Sequence, residues 1–189
     1  MSADSDKAGL RSEARAKRAE AFRQHGAAAA QNLARHVLAV VENLPASMVA
    51  GYWAVGSEID VAPVMERLTD EGWNVALPIV VEDAAPLIFR RWLPGDVLVE
   101  GPFKTLHPQP GCEEFVPEII LTPLLAFDDQ RYRLGQGGGF YDRTLEKLKK
   151  QGDGVVSIGV AFAAQQVASV PRDVHDQQLD YIVTDKGKL

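Results

Sequence analysis

A glycine-rich stretch, RLGQGGGFYDRTLEKL, runs from residue 133 to residue 148 and leads directly into a charged, helix-like segment. Glycine lets backbone N–H groups approach an oxyanion without a Cβ in the way, and a helix start adds free N–H groups and partial positive charge. Together these features suit a phosphate. Arg131 and Arg133 could clamp phosphate oxygens, and Asp142 could share a magnesium ion with them. An ordinary tight turn, followed by a plain carboxylate in the first helical turn, explains the same residues, so both interpretations stay open.

The stretch matches neither of two familiar nucleotide-binding motifs. It contains no G-x-x-x-x-G-K-[ST] sequence, which excludes a Walker A loop. Gly135 and Gly137 supply the first half of a dinucleotide fingerprint, but Phe140 stands where that motif needs Gly or Ala. Any phosphate site here must therefore have its own design.

A second set of candidate residues is basic and lies near the start of the chain. Lys7, Arg11, Arg15 and Arg18 recur at spacings of four, four and three residues, which places them on one side of a helix. The pattern alone favours a solvated face for this basic stripe. The acidic balance of the whole chain makes the stripe more notable.

The segments that would position these residues alternate between strand and helix patterns. We predict helices over residues 7–24, 27–43, 61–71 and 139–150. We predict strands over residues 48–54, 74–81, 87–92, 118–125, 155–162 and 180–184, and long loops over residues 101–117 and 126–138. Apolar runs without clean alternation are typical of strands buried on both faces. The sequence therefore predicts one α/β domain over residues 1–189, a three-layer sandwich with a mostly parallel central sheet flanked by helices.

Composition excludes several classes of protein. The chain has 189 residues, 46% of them hydrophobic, and a net charge of −6, which disfavours a nucleic-acid partner. It contains no apolar run of about 18 residues and no apolar leader at its N-terminus, so we expect neither a membrane span nor a secretory signal. Cys112 is the single cysteine, which excludes an internal disulfide and fits a reducing cytoplasm.

Residues 121–145, LTPLLAFDDQRYRLGQGGGFYDRTL, closely resemble the signature of the 5-formyltetrahydrofolate cyclo-ligases, also called methenyltetrahydrofolate synthetases. Three shorter pieces fall in the order of that family. KAGLR (7–11) resembles its N-terminal K-x-x-x-R, WAVGSEIDV (53–61) a region containing a glutamate, and VPRDVHDQQLDYIVT (170–184) its C-terminal segment. The resemblance spans nearly the whole chain, and the 25-residue signature is its specific part.

The resemblance implies a reaction and a set of roles. ATP and magnesium would drive cyclisation of 5-formyltetrahydrofolate to 5,10-methenyltetrahydrofolate, releasing ADP and phosphate. The implied ATP site consists of Lys7, Arg11, Arg133, Leu134, Gly135, Gln136, Gly137, Gly138, Gly139, Phe140 and Tyr141. The implied folate contacts are Trp53, Glu58, Phe140 and Tyr141. The implied magnesium ligands are Asp142 and Asp176, and the implied catalytic residues are Arg133, Tyr141 and Asp142.

One departure from the family pattern concerns the charge of the glycine-rich stretch. Some members carry Arg or Lys at the positions of Gln136 and Gly138. Phosphate binding by this chain must then depend more on backbone N–H groups, Lys7, Arg11 and Arg133.

Two other functions remain open on the residues alone. Similar α/β folds host isomerases or transferases acting on sugar phosphates or acyl-CoA, and a nucleotide-binding regulator could keep the loop without turnover. In each case the partners would be small molecules, with neither nucleic acid nor membrane involved. We expect a monomer and leave a dimer open.

Overall fold

The computed structural model describes residues 3–152 and 154–189. The helices are α1 (Ala3–Val41), α2 (Ala62–Asp70) and α3 (Phe140–Gln151). The strands are β1 (Met48–Ala50), β2 (Asn74–Ile79), β3 (Ile88–Arg91), β4 (Leu98–Glu100), β5 (Leu106–Pro108), β6 (Glu114–Phe115), β7 (Ile119–Pro123), β8 (Ala126–Phe127), β9 (Arg133–Leu134), β10 (Val156–Ala161), β11 (Tyr181–Thr184) and β12 (Gly187–Lys188).

The central sheet has eight strands in the order β12-β11-β10-β7-β1-β2-β3-β6. The run from β11 to β2 is parallel throughout, with Val49 of β1 opposite both Val75 and Ile119. Antiparallel strands close both edges. The carboxyl ends of β1, β2 and β7 therefore meet at one edge of the sheet, where ligands bind in open α/β folds.

Helices cover both faces of this sheet. Alternate residues of one strand enter different cores: Ile119 and Leu121 pack with α1 and α2, whereas Ile120 packs with Leu145 and Leu148 of α3. Burial on both faces explains the continuous apolar runs in the sequence. The predicted three-layer α/β sandwich with a mostly parallel sheet is confirmed.

The prediction of two N-terminal helices is wrong, because α1 is a single 39-residue helix. Gly26, in the gap between the two predicted helices, lies inside α1, and the ring of Phe22 lies only 3.4 Å from the place where its Cβ would stand. A glycine lowers helix propensity by about 1 kcal/mol, which the packing of α1 on α2 and on the sheet overrides.

The two predicted loops contain short strands. Within residues 101–117, β5 pairs with β4 and β6 pairs with β3. Within residues 126–138, β8 and β9 form a small hairpin that leads into the glycine-rich stretch. Pairings of two or three residues are too short to leave a periodic pattern.

Within the described residues, no helix combines the length and the apolar character needed to cross a bilayer.

Candidate functional site

A cavity of about 800 Å³ opens at the carboxyl edge of the sheet. Its floor comes from the ends of β2 and β7, at Pro78 and Pro123, and one wall comes from the segment after β1. The opposite wall is the start of α3 with the residues just before it, which we call the glycine loop (135–139). Charged side chains of α1 reach the same cavity, so the fold brings the two sequence-predicted sets of residues together.

The glycine loop has a backbone that few other residues could adopt. Gly137 and Gly139 have φ values of +110° and +67°, in the left-handed region that favours glycine. A Cβ on Gly138 would lie 2.7 Å from the ring of Phe140. Gly139 is the N-cap of α3 and, being glycine, brings no side-chain cap of its own. The first amides of α3 therefore remain available to an external acceptor beside the cavity.

The basic stripe of α1 faces the cavity rather than solvent, except for the exposed Arg15, which corrects the interpretation favoured by pattern alone. Arg11 Nε donates to the carbonyl of Gly135 at 3.1 Å, and the Arg15 guanidinium binds Gln136 Oε1 at 3.0 Å. Lys7 is only 6% exposed and lines the cavity. The described structure thus surrounds the loop with the cations that its own sequence lacks at Gln136 and Gly138.

Lys7 lies between two carboxylates of the segment after β10. Its Nζ is 2.6 Å from Asp176 Oδ2 and 2.9 Å from Asp173 Oδ2. Burial alone would lower the pKa of Lys7, but Asp176 and Asp173 together outweigh it, and the pKa is raised. The backbone N–H of His175 and then the Lys7 ammonium lower the pKa of Asp173. These carboxylates therefore hold a cation at the cavity wall.

Asp142 is equally engaged. Its Oδ2 pairs with Arg133 Nη2 at 2.9 Å, and its Oδ1 accepts the backbone N–H of Gln177 at 2.9 Å. Because Gln177 directly follows Asp176, this bond ties the first turn of α3 to the segment that carries the other predicted magnesium ligand. Arg133 is buried, and its side chain lines the cavity.

The carboxylates at the cavity fit magnesium, which takes most of its ligands from water and phosphate, better than a metal ligated by protein side chains alone. Among the residues that the structure describes, no group of three or more His, Cys, Asp or Glu side chains could hold a metal ion. Magnesium usually takes one or two carboxylates and completes its shell with water and phosphate oxygens. Asp142 and Asp176 line one cavity, and protein cations already occupy the positions beside them.

The other end of the cavity is aromatic and contains an acid, Glu58, whose side chain is 13% exposed. Trp53 packs edge-on against Trp92, with ring centroids 6.3 Å apart. Glu58 Oε2 accepts the backbone N–H of Val55 at 3.0 Å, and Glu58 Oε1 faces Arg18 Nη1 at 3.4 Å. Burial raises the pKa of Glu58, although Val55 and Arg18 both act to lower it.

Phe140 and Tyr141 also line the cavity, and the phenol of Tyr141 lies close enough to both Glu58 and Arg133 for their charges to act on its pKa. Burial, followed by the charge of Glu58, raises the pKa of Tyr141 far above its ordinary value, so at neutral pH the phenol is a proton donor in hydrogen bonds. The ring of Phe103, from the turn between β4 and β5, lies 5.7 Å from that of Phe140. That turn forms part of the cavity wall.

Two predicted residues behave differently from the rest. Arg131 Nε donates to the carbonyl of Leu179 at 3.1 Å, and this side chain is not among the described residues that line the cavity. Leu134 reaches the cavity wall, but its side chain is buried in a small cluster with Leu125 and Val170. Leu134 therefore supports the glycine loop from below and brings no polar side chain to a ligand.

Sequence analysis assigned no role at the cavity to Arg143 or Asp173, and it named Arg18 only as part of the basic stripe. Arg143 Nη2 donates to the carbonyl of Gly138 at 2.6 Å, and its guanidinium lies 5.1 Å from the centre of the Phe140 ring. Asp173 and Asp176 both contact the Lys7 ammonium, and Arg18 pairs with Glu58. A helical spacing of three from Phe140 could have pointed to Arg143, but the other two pairs join segments far apart in the chain.

Comparison with known proteins places this geometry in context. The sequence model of the 5-formyltetrahydrofolate cyclo-ligase family matches residues 3–185. A 5-formyltetrahydrofolate cyclo-ligase from Haemophilus influenzae is 33% identical over 177 residues, covering 90% of this chain and 92% of that protein.

Two solved structures of 5,10-methenyltetrahydrofolate synthetases have a similar fold. A 5,10-methenyltetrahydrofolate synthetase from Mycoplasma pneumoniae superposes with a TM-score of 0.75 at 25% identity, covering 95% of this chain and 99% of the other. The NMR structure of an Aquifex aeolicus 5,10-methenyltetrahydrofolate synthetase also has a TM-score of 0.75, at 28% identity, covering 96% and 91%.

Proposed function

The chain belongs to the 5-formyltetrahydrofolate cyclo-ligase family, and from this premise we propose how its own residues carry out the reaction. ATP and magnesium drive the cyclisation of 5-formyltetrahydrofolate to 5,10-methenyltetrahydrofolate, and ADP and phosphate are released. One observation carries the proposal: a single cavity is lined by a glycine loop with buried and half-buried cations beside it, and by a largely enclosed acid with an aromatic ring near it.

The ATP triphosphate binds at the glycine loop. Its oxygens accept hydrogen bonds from the amides at the start of α3, and Lys7 and Arg11 approach from α1. Arg143 lies against Gly138 and adds a cation on the other side. Phosphoryl transfer depends mainly on positioning and on neutralising charge, which this arrangement of backbone amides and side chains provides.

The first chemical step activates the formyl group. A formamide is a poor electrophile, so its oxygen attacks the γ-phosphorus of ATP, and the bond to the bridging oxygen breaks to release ADP. The product is an iminium phosphate at N5. Arg133, buried and adjacent to Asp142, is positioned to stabilise charge on the transferred group.

The second step closes the ring. N10 attacks the activated formyl carbon, loses its proton, and the carbon–oxygen bond breaks so that inorganic phosphate leaves with the former formyl oxygen. Neither step needs a protein nucleophile. The phenol of Tyr141 remains protonated and can donate a hydrogen bond near the reacting atoms, where the nucleotide and folate ends of the cavity meet.

Magnesium would be held by Asp142 and Asp176 together with phosphate oxygens and water. When bound, it supplies charge neutralisation and helps to orient the phosphates. The fit is supported by the Lys7 ammonium, a cation that already lies against Asp173 and Asp176.

The folate binds toward Trp53 and Glu58. A carboxylate can accept two N–H bonds side by side, which suits the ring N–H and amino group of a pterin. The Glu58 side chain is only 13% exposed, which strengthens these bonds because little water competes for them. The ring of Trp53 adds apolar contact area.

One coupled assay tests the proposal and separates its rivals. Purified protein is mixed with 5-formyltetrahydrofolate, ATP and magnesium, and the methenyl chromophore is followed together with ADP. We expect both products in equal amounts, and none when ATP or the metal is omitted. A nucleotide-binding regulator would bind ATP without turnover, and an isomerase or transferase would leave the folate unchanged.

A further inference from the structure

Arg18 is a buried cation in the wall of the cavity, and it is not among the residues proposed to contact ATP, magnesium or folate. It is 6% exposed although it lies on α1, a helix with many exposed charged residues. Arginine stays protonated in proteins, and a buried charge is costly unless it is paired. Its presence at this position therefore calls for a partner that needs a positive charge.

The partners of Arg18 are both in the segment that carries the predicted folate contacts. Nε donates to Ser57 Oγ at 3.2 Å, and Nη1 lies 3.4 Å from Glu58 Oε1. Glu58 Oε2 is held by the backbone N–H of Val55. Two different donors thus fix the two oxygens of one carboxylate, and each oxygen keeps capacity for a further hydrogen bond.

The place of Arg18 along α1 links it to the other end of the cavity. It follows Lys7 by eleven residues and Arg11 by seven, so all three lie on one helix face, with Lys7 and Arg18 roughly 16 Å apart along the axis. One face of one helix thus supplies cations to the glycine loop and to Glu58.

We infer that Arg18 is a positioning residue for folate recognition: it holds the Glu58 carboxylate ionised and oriented so that the N–H edge of a pterin can bind to it. The inference rests on the proposed function. A purely structural role is a poor explanation for a buried ion pair, because apolar residues of similar volume usually stabilise a fold at least as well.

Electrostatics around Glu58 favour the same role. The groups facing it are Arg18 from α1, Tyr52 from the segment after β1 and Tyr141 from the start of α3, with Asp60 further along its own segment. Burial raises the pKa of Glu58, and Arg18 is the cation that opposes the rise. Without Arg18, Glu58 would take up a proton at a higher pH and lose its capacity to accept two bonds.

The test compares Arg18→Met, Arg18→Lys and Glu58→Gln with the wild type in the coupled assay, across pH. Arg18→Met should raise the KM for 5-formyltetrahydrofolate by about ten- to a hundredfold. The KM for ATP should stay within about twofold, since the change at the folate end leaves the glycine loop intact. Arg18→Lys should recover part of the loss. Lys17→Met, an exposed neighbour on the same helix, is the matched control and should match the wild type.

The pH profile separates positioning from structure. In Arg18→Met the acidic fall in kcat/KM for the folate should move to higher pH, whereas Glu58→Gln should abolish this component. A lower melting temperature with unchanged folate KM and an unmoved acidic limb would overturn the inference. If Arg18→Met does not fold, Arg18→Lys decides: folate KM and pH profile equal to the wild type would also overturn it. Failure of the wild type itself to convert the folate would instead refute the proposed function.

Discussion

Replacing Lys7 with methionine removes the ammonium that joins Asp173 and Asp176 and keeps most of the apolar stem. In the absence of nucleotide this bridge consists of contacts of 2.6 and 2.9 Å, but the Asp173 side chain is 45% exposed and rehydrates readily. We therefore expect a loss of about 1–2 kcal/mol in the free energy of unfolding. For a chain of this size, that corresponds to a fall of about 2–8 °C in Tm.

The contacts of Lys7 and Arg11 also determine how much each substitution should raise the KM for ATP. A charge-assisted bond to phosphate is worth about 1.5–3 kcal/mol, or roughly ten- to a hundredfold in affinity. Lys7 must give up its carboxylates to reach phosphate, so Lys7→Met should fall near the lower end of that range. Within the described contacts, Arg11 makes a single side-chain hydrogen bond, 3.1 Å to the Gly135 carbonyl, so Arg11→Met should raise the KM for ATP more and lower Tm less.

The assay is steady-state turnover at saturating folate with ATP varied, alongside thermal unfolding of each variant. Arg15→Met is the control, because this exposed side chain binds only the Gln136 side chain within the described contacts. Its KM should stay within about twofold of the wild type. Equal, small changes at all three positions would refute a role for α1 in nucleotide binding. A lower Tm for Lys7→Met with unchanged ATP KM would refute the role of Lys7.

Further predictions concern the other parts of the site. Asp142→Asn should lose most activity even at saturating magnesium, and should lower the free energy of unfolding by about 1–3 kcal/mol because the buried Arg133 loses its charged partner; turnover at the wild-type rate would contradict this. Gly139→Ala should raise the KM for ATP, because its φ of +67° disfavours a side chain and a Cβ would lie 2.6 Å from Arg143 Nη1; an unchanged KM would show that the loop tolerates distortion. The folate KM should rise as the pH falls, since burial raises the pKa of Glu58 and protonation removes an acceptor. A plot of folate KM against pH should show this acidic rise in the wild type and not in Glu58→Gln.

The layered fold and the glycine loop could be predicted from local sequence. Strands buried on both faces leave continuous apolar runs, as in β7, where Ile119 and Ile120 enter opposite cores. The cluster of glycines predicted a loop with unusual backbone angles, and Gly137 and Gly139 do have positive φ values, which favour residues without a Cβ. The start of α3 and the first-turn position of Asp142 followed from the same stretch.

What local sequence could not reveal were contacts between distant segments. Lys7 and Asp176 are 169 residues apart, so the spacing of the basic stripe could not distinguish a solvated face from a cavity wall. Arg18 and Glu58 are joined only after α1 has packed over the segment that follows β1. The break predicted between residues 24 and 27 is absent from α1, because propensity is a weak guide where tertiary packing is strong.

The central claim is that one cavity binds ATP and 5-formyltetrahydrofolate together and couples their chemistry. The most direct measurement uses substrate carrying ¹⁸O in the formyl group and follows the label after complete turnover with ATP and magnesium. We predict that the inorganic phosphate acquires the label, with one phosphate and one ADP per methenyl product, because the formyl oxygen attacks the γ-phosphorus. Methenyl product formed without ATP, or phosphate that carries no label, would contradict the account.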